Sequence, residues 1–276
     1  MKDRPEYIHE AMGGQIQPGQ IADYVLVPGS EKRVELFTTM WDDARKIAHH
    51  YEFLVYSGTL AGIPITACST GIGGRSTGIA IDEMAALGGK TFIRVGVTGG
   101  LQPGFKAGDL IIATGAVRMD KTSEHYVFIE YPAVADVEVT CALIAAAEKL
   151  GFPYHVGITA TASSFYAGEG VTCFGGYRHS KMDNIESDLK AANVYDWDTE
   201  TATIYTLCSL YGLRAGRVNT IVDDPVTGQY NPVGEPNAMQ VSLEAIKILA
   251  GWDAEKKKRG LKLMLPAFPE REEIAP

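Results

Sequence analysis

The chain has 276 residues, 46% of them hydrophobic and 21% charged, with a formal net charge of -9 at pH 7. That length and apolar fraction suffice for one large α/β domain or two small ones and exclude extensive disorder. The acidic balance argues against the broad positive surface that nucleic acid or anionic lipid needs, and leaves room for a single nucleoside or phosphate as partner.

The first residues, Met1-Lys2-Asp3-Arg4-Pro5, lack a secretory apolar core, and no apolar run approaches the ~18 residues of a membrane span. Cys68, Cys141, Cys173 and Cys208 show no CxxC spacing and lie in or beside apolar stretches, as reduced structural thiols do. A cytoplasmic protein without a membrane partner is expected.

Along the chain, a Val/Ile/Thr-rich run at 24–28 predicts a strand, followed by a helical pattern over about 31–42. Strands at 53–60 and 63–69 meet in a hairpin around Ala61-Gly62, and a helix over 76–88 leads to strands at 91–98 and 109–117. Asp136 is placed to cap a helix with Val139, Leu143, Ala146 and Leu150 on one face, ended by Gly151. A strand at 154–162, a helix at 199–212, a strand at 215–222 and a helix at 237–252 complete the pattern. The alternation predicts an α/β fold: a mostly parallel or mixed sheet covered by helices on both sides. No repeat or linker interrupts it, so residues 1–276 are expected to form one domain. The segment 255–276, with its Lys-Lys-Lys-Arg cluster and prolines, is expected to be a peripheral, solvated extension rather than a partner-binding tail.

Glycine-bearing loops follow three strands: Pro28-Gly29-Ser30 with Arg33, Thr70-Gly71-Ile72-Gly73-Gly74-Arg75-Ser76, and Thr98-Gly99-Gly100. In open α/β sheets such loops lie where ligands bind, and their backbone N–H groups can approach an anion. Singly, each is also an ordinary turn. Arg94 sits inside the apolar run Phe92–Val97, where a buried guanidinium needs an anion, either a bound phosphate or a carboxylate of the chain itself. Arg33, one turn after Gly29, is either a second anion ligand or a solvated helix residue. Glu200 opens an apolar helix behind Asp198. It can face inward and accept from two sugar hydroxyls, or serve as a first-turn acid with Asp198 as the cap. Asp223 and Asp224 end a strand before Pro225, as mutually perturbed acids or as a plain turn. His9 stands alone in a polar segment and reads as surface; no metal-ligand spacing or Ser-His-Asp set is legible.

In this order the segments resemble the nucleoside phosphorylase-I family, most closely its uridine phosphorylase branch, from about residue 9 to about residue 250. The resemblance is carried by Val27-Pro28-Gly29 with Arg33, CSTGIGG at 68–74, Phe92-Ile93-Arg94 with Thr98-Gly99, YPAVADVE at 131–138 and TASSFYAGE at 161–169. It implies a three-layer α/β/α fold on a mixed, barrel-like sheet, in homodimers that assemble into hexamers. It implies a pentosyltransferase that splits a nucleoside with inorganic phosphate as co-substrate and no required cofactor. Phosphate would be held by Gly29, Arg33, Arg94 and Thr98, and the ribose by Glu200, Thr199 and His9 of a neighbouring subunit. Phe165, Trp197 and Glu169 would face the base, and Glu52, Ile72 and Ser76 would frame a potassium ion.

The sequence also departs from that pattern. Glu169 and Val171 stand where the branch has a glutamine and an arginine against uracil, Tyr51 where a cross-dimer arginine binds phosphate, and Val97 where a threonine is usual. Asp198-Thr199 replaces a Glu-Met pair. Arg75, in place of a proline, is a candidate substitute for the missing cross-dimer charge. Asp223 aligns with the acid that protonates purine N7 in the purine branch. A purine nucleoside phosphorylase therefore stays open beside a uridine phosphorylase, as do, less strongly, a hydrolytic nucleosidase and an inactive nucleoside-binding protein.

Overall fold

The computed structural model describes residues 16–223 and 230–266. Its elements in chain order are β1 (Tyr24–Pro28), α1 (Glu31–Thr38), β2 (Asp43–His50), β3 (Phe53–Leu60), β4 (Ile63–Cys68), α2 (Gly74–Ala86), β5 (Thr91–Gly99) and β6 (Leu110–Met119). There follow α3 (Thr122–Tyr126), β7 (Ala133–Val134), α4 (Val137–Leu150), β8 (Tyr154–Ala162), α5 (Phe165–Gly168), α6 (Lys181–Ala191), β9 (Val194–Asp198), α7 (Thr201–Leu210), β10 (Arg214–Asp223) and α8 (Glu235–Arg259).

Strand β1 is apolar without a break because both of its faces are covered. Tyr24 and Leu26 join one core cluster with Val34 and Phe37 of α1, Leu143 of α4 and Ile246 of α8. Val25 and Val27 point the other way, to Ile81 and Met84 of α2 and Ile204 and Leu207 of α7. Side chains alternate along a strand, so one run feeds two cores, and the result is three layers. Leu26 is wholly buried, and its truncation to alanine would cost about 2–5 kcal/mol.

The sheet runs β2-β3-β4-β1-β5-β10-β6-β8-β9, with β7 on β6. It is mixed: β1 is parallel to β4 and β5, β5 to β10, and β6 to β8, whereas β10 and β6 are antiparallel. Its second half curls back on itself, for Gly100 bridges Asp196 and the Leu101 N–H donates to the Tyr195 carbonyl at 2.8 Å. The sheet is thereby barrel-like, with a seam where the end of β5 meets β9.

Asp136 caps α4 by accepting from the Val139 N–H at 3.0 Å, and Gly151 closes it in the left-handed region. The hairpin turns at Ala61-Gly62, both at positive φ. All four cysteines are free thiols. The helix expected over 31–42 ends at Thr38, because the chain turns at Thr39 and Met40 to enter β2. Helix α8 continues past Glu255 to Arg259, correcting the expected start of the solvated extension. Lys256 reaches Glu138 (2.5 Å) and Asp253 (3.0 Å), and the Met264 N–H donates to Glu138 at 2.7 Å. Those contacts tie residues up to 264 onto the start of α4. No helix among the described residues is long and apolar enough to cross a membrane.

Candidate active site

A cavity of about 560 Å³ opens at the carboxyl ends of β5, β9 and β10, beside the seam. Arg94, Thr98 and Gly99 form its floor, Trp197 to Glu200 one wall, Phe165, Glu169 and Val171 another, and Asp223 the far side. β5 and β10 are parallel and finish together on one edge, and the antiparallel bridge between Gly100 and Asp196 brings β9 to them.

Arg94 is 6% exposed and pairs through Nη2 with Oε2 of Glu200, itself 2% exposed. Its Nη1 donates weakly to the Val27 carbonyl at 3.4 Å, and its buried Nε has no partner among the described residues. Glycine at 29 favours this fit: a Cβ there would stand a tight 3.2 Å from Arg94 Nη1 and 3.3 Å from the Gly71 carbonyl oxygen. Glu200 thus faces inward. Its Oε1 also accepts from the Gly73 N–H at 2.7 Å and from Thr199 Oγ1 at 2.6 Å. Capping of α7 falls to Asp198, which accepts from the Thr201 N–H at 3.0 Å and from Thr161 Oγ1 at 2.6 Å. Thr98 donates its hydroxyl to the Trp197 carbonyl across the seam.

The expected convergence of two guanidinium groups is not what the chain builds. Arg33 lies outside this cavity, with Nε 2.9 Å and Nη2 2.7 Å from Glu235 Oε1 at the start of α8. Both arginines therefore already face a carboxylate. Sequence could not foresee Glu235, which is 202 positions away from Arg33. Arg75 also stands apart, on a second cavity of about 540 Å³ with Gly73, Asp120, Lys121, His125 and Ser163.

Phe165, 60% exposed, and Trp197, buried, both line the cavity. Burial, and then the charges of Asp198, Glu200 and Asp223, push the Glu169 carboxyl up to about 8. Burial also raises Asp223 above the usual carboxylate range. Asp224, expected to perturb Asp223, lies outside the described residues, as does His9. Tyr51 is exposed at positive φ in the turn between β2 and β3. Glu52 and Ser76 both stand against Gly71, where a Cβ would meet Glu52 Cγ at 2.8 Å and Ser76 Oγ at 3.1 Å. Ile72 is 86% exposed beside them.

One supporting pair escaped the sequence: Arg217, register partner of Arg94, is wholly buried with Nη2 2.6 Å from Asp196 Oδ2. The charged residue inside the run 215–222 was its available signal. Adjacent strands thus carry two buried arginines, and β9 supplies the acid for Arg217 while the head of α7 supplies the one for Arg94.

The model of the phosphorylase superfamily matches residues 23–250. The chain is 52% identical to a uridine phosphorylase of Thermococcus kodakarensis over 252 residues, 91% of either chain. It is 40% identical to a uridine phosphorylase of Klebsiella aerogenes, covering 83% of this chain and 90% of the relative. A guanosine phosphorylase of Halorubrum lacusprofundi is 32% identical over 77% of this chain and 83% of its own length. With its sheet, its cavity beside the seam and this likeness over nearly the whole chain, the protein belongs to the phosphorylase superfamily as a nucleoside phosphorylase.

Proposed function

We propose that the chain is a uridine phosphorylase: a pentosyltransferase that converts uridine and inorganic phosphate to uracil and ribose 1-phosphate. The observation that carries this reading is the buried Arg94, held between Gly29 and Glu200 on the cavity floor with its Nε unpartnered among the described residues. A buried ion pair is poor value as a stability device, since desolvation offsets most of its attraction. Placed on a cavity floor, it can instead hold two substrates, the guanidinium a phosphate and the carboxylate the ribose 2' and 3' hydroxyls.

The reaction follows from charge. A phosphate oxygen forms a bond to C1' as the C1'–N1 bond breaks and its electron pair moves to the base. The sugar passes through an oxocarbenium-like state, stabilised by the anion beneath it, and Arg94 positions that anion. Glu200, with Thr199 beside it, fixes the ribose so that C1' lies over the nucleophile. Gly29 lends its backbone to the phosphate side, and Thr98 holds the seam so that the floor and the Trp197 wall stay in register. Phe165 and Trp197 shield the base from water, which must be excluded if phosphorolysis is to outrun hydrolysis.

Arg33 contributes by fixing Glu235 and α8 against α1. Arg75 supplies a cation to a neighbouring subunit, and His9 reaches the 5' hydroxyl in the same way. Glu52, Ser76 and the Ile72 carbonyl form an oxygen donor set suited to a potassium ion at a homodimer interface, and the place of Glu52 and Ser76 against Gly71 supports this. Exposed Tyr51 and Ile72 suit burial in such a dimer, itself a unit of a hexamer in the cytoplasm.

A second reading is favoured by Asp223, whose raised pKa and place in the wall suit protonation of a purine. The test is chromatography of products from uridine, thymidine, inosine and adenosine, with and without phosphate. Phosphate-dependent uracil and ribose 1-phosphate are expected. Free ribose without phosphate means a hydrolase, and faster inosine cleavage selects the purine reading.

A further inference from the structure

Five carboxylates line the cavity, and three of them have their charge met, Glu186 by Lys190 and two by the donors around them. Asp198 accepts from Thr161 and from the N–H and hydroxyl of Thr201; Glu200 accepts from Gly73, Thr199 and Arg94. Glu169, just after α5, has neither a donor nor a cation among the described residues. Asp198 and Glu200 face it from the β9 end and the head of α7, and Asp223 faces it from β10. Glu186 of α6 is the fifth acid of the lining. Arg178, the arginine of the adjoining loop, is held by the Gly170 carbonyl (2.7 Å), Thr172 Oγ1 (3.0 Å), the Met182 carbonyl (3.1 Å) and Asp183 (3.2 Å). Arg94 is engaged with Glu200. Of the two acids left without a donor among the described residues, Glu169 and Asp223, Glu169 is the one that faces three other carboxylates, and it lines the cavity with Phe165, which shields the base.

We propose that Glu169 reads the base as a neutral carboxylic acid, its O–H donating to a base carbonyl and its C=O accepting the neighbouring ring N–H. This rests on the cavity taking a pyrimidine nucleoside. A carboxylic acid presents one donor beside one acceptor, and the imide edge of uracil or thymine presents the complement. An ionised carboxylate has acceptors only and repels both the carbonyl and the charge that grows on the departing base. Burial and the three facing charges push the carboxyl up to about 8, so the acid form prevails at neutral pH. The proton stays on Glu169 through the step; its hydrogen bond to the carbonyl strengthens as the base takes the electron pair of the broken C1'–N1 bond.

The test compares wild type with Glu169→Gln, whose amide also carries a donor and an acceptor but does not titrate. The readout is kcat/KM for uridine at saturating phosphate, as a ratio of wild type to variant; ionisation of uridine and of phosphate affects both enzymes and cancels. The ratio is expected to hold constant at neutral pH and to fall about tenfold per pH unit above about 8. A ratio that stays flat through that range overturns the proposal. Calorimetry of uracil binding to the wild type alone, in two buffers of different ionisation enthalpy, is expected to show proton uptake by the protein above about pH 8. Binding without uptake overturns it equally. If uridine is split but the ratio is flat, only the role of Glu169 falls; if phosphate-dependent cleavage of uridine is absent, the functional reading falls and this one with it.

Discussion

Arg94 of β5 and Glu200 at the head of α7 close on one another at the floor of the cavity, both nearly inaccessible to solvent. Gly73 and Thr199 complete the carboxylate, and the missing side chain at Gly29 makes room for the guanidinium.

Arg94→Ala strands a buried carboxylate and is expected to cost about 3–5 kcal/mol of stability in urea unfolding. The loss of the phosphate-side cation should lower kcat/KM by about 10²–10³-fold. Adding Glu200→Gln should restore most of the stability and none of the activity. Recovery of activity in the double variant would show that the pair serves only the fold.

Asp223→Asn separates the two base classes. If this acid protonates a departing purine, inosine cleavage should fall by about 10²–10⁴-fold while uridine cleavage falls less than about tenfold. Equal losses on both substrates remove the purine reading.

Arg75 lines a cavity away from Arg94, so it can serve phosphate only in a neighbouring subunit. Arg75→Ala is expected to raise the phosphate KM about tenfold or more, the loss of one charge-assisted contact. Mixed assemblies of Arg75→Ala with Arg94→Ala should regain one site per dimer with the wild-type phosphate KM, seen as activity at low phosphate above that of either variant alone. An unchanged phosphate KM refutes the role.

Asp253 accepts from Tyr24 (2.5 Å), from Arg214 (2.6 Å) and from Lys256 (3.0 Å). Burial alone would raise its pKa, but hydrogen bonds from Arg214, Tyr24 and Lys256 outweigh it and hold the carboxyl at about 2. A folded-state pKa below the unfolded one contributes stability that is full above about pH 4 and is lost as pH falls toward 2. Asp253→Asn should therefore lower the melting temperature at neutral pH and flatten its decline between about pH 4 and 2. An unchanged acid limb would assign that decline to other carboxylates.

Local signals were legible and distant ones were not. The Asp136 cap and the Gly151 stop act within four residues of their targets, and α4 begins and ends where they stand. The doubly buried strands announced themselves as apolar runs. Strand β2 did not, because as an edge strand it is largely exposed and reads Asp-Ala-Arg-Lys. Strand β9 is short and spends two of its five positions on Asp196 and Asp198. At the site, the inward turn of Glu200 could be inferred from the apolar helix it opens, whereas the capture of Arg33 by Glu235 depends on α8 docking against α1.

The bridge from Gly100 to Asp196 joins positions nearly a hundred residues apart, and the cavity floor and wall meet only once it has formed. Loop-closure entropy delays such a long-range pairing until shorter ones are in place. Catalytic competence therefore requires long-range closure as well as local structure, and a chain in which residues 194–200 have not docked lacks one wall of the site. Regain of enzyme activity during refolding then reports a step no earlier than that docking.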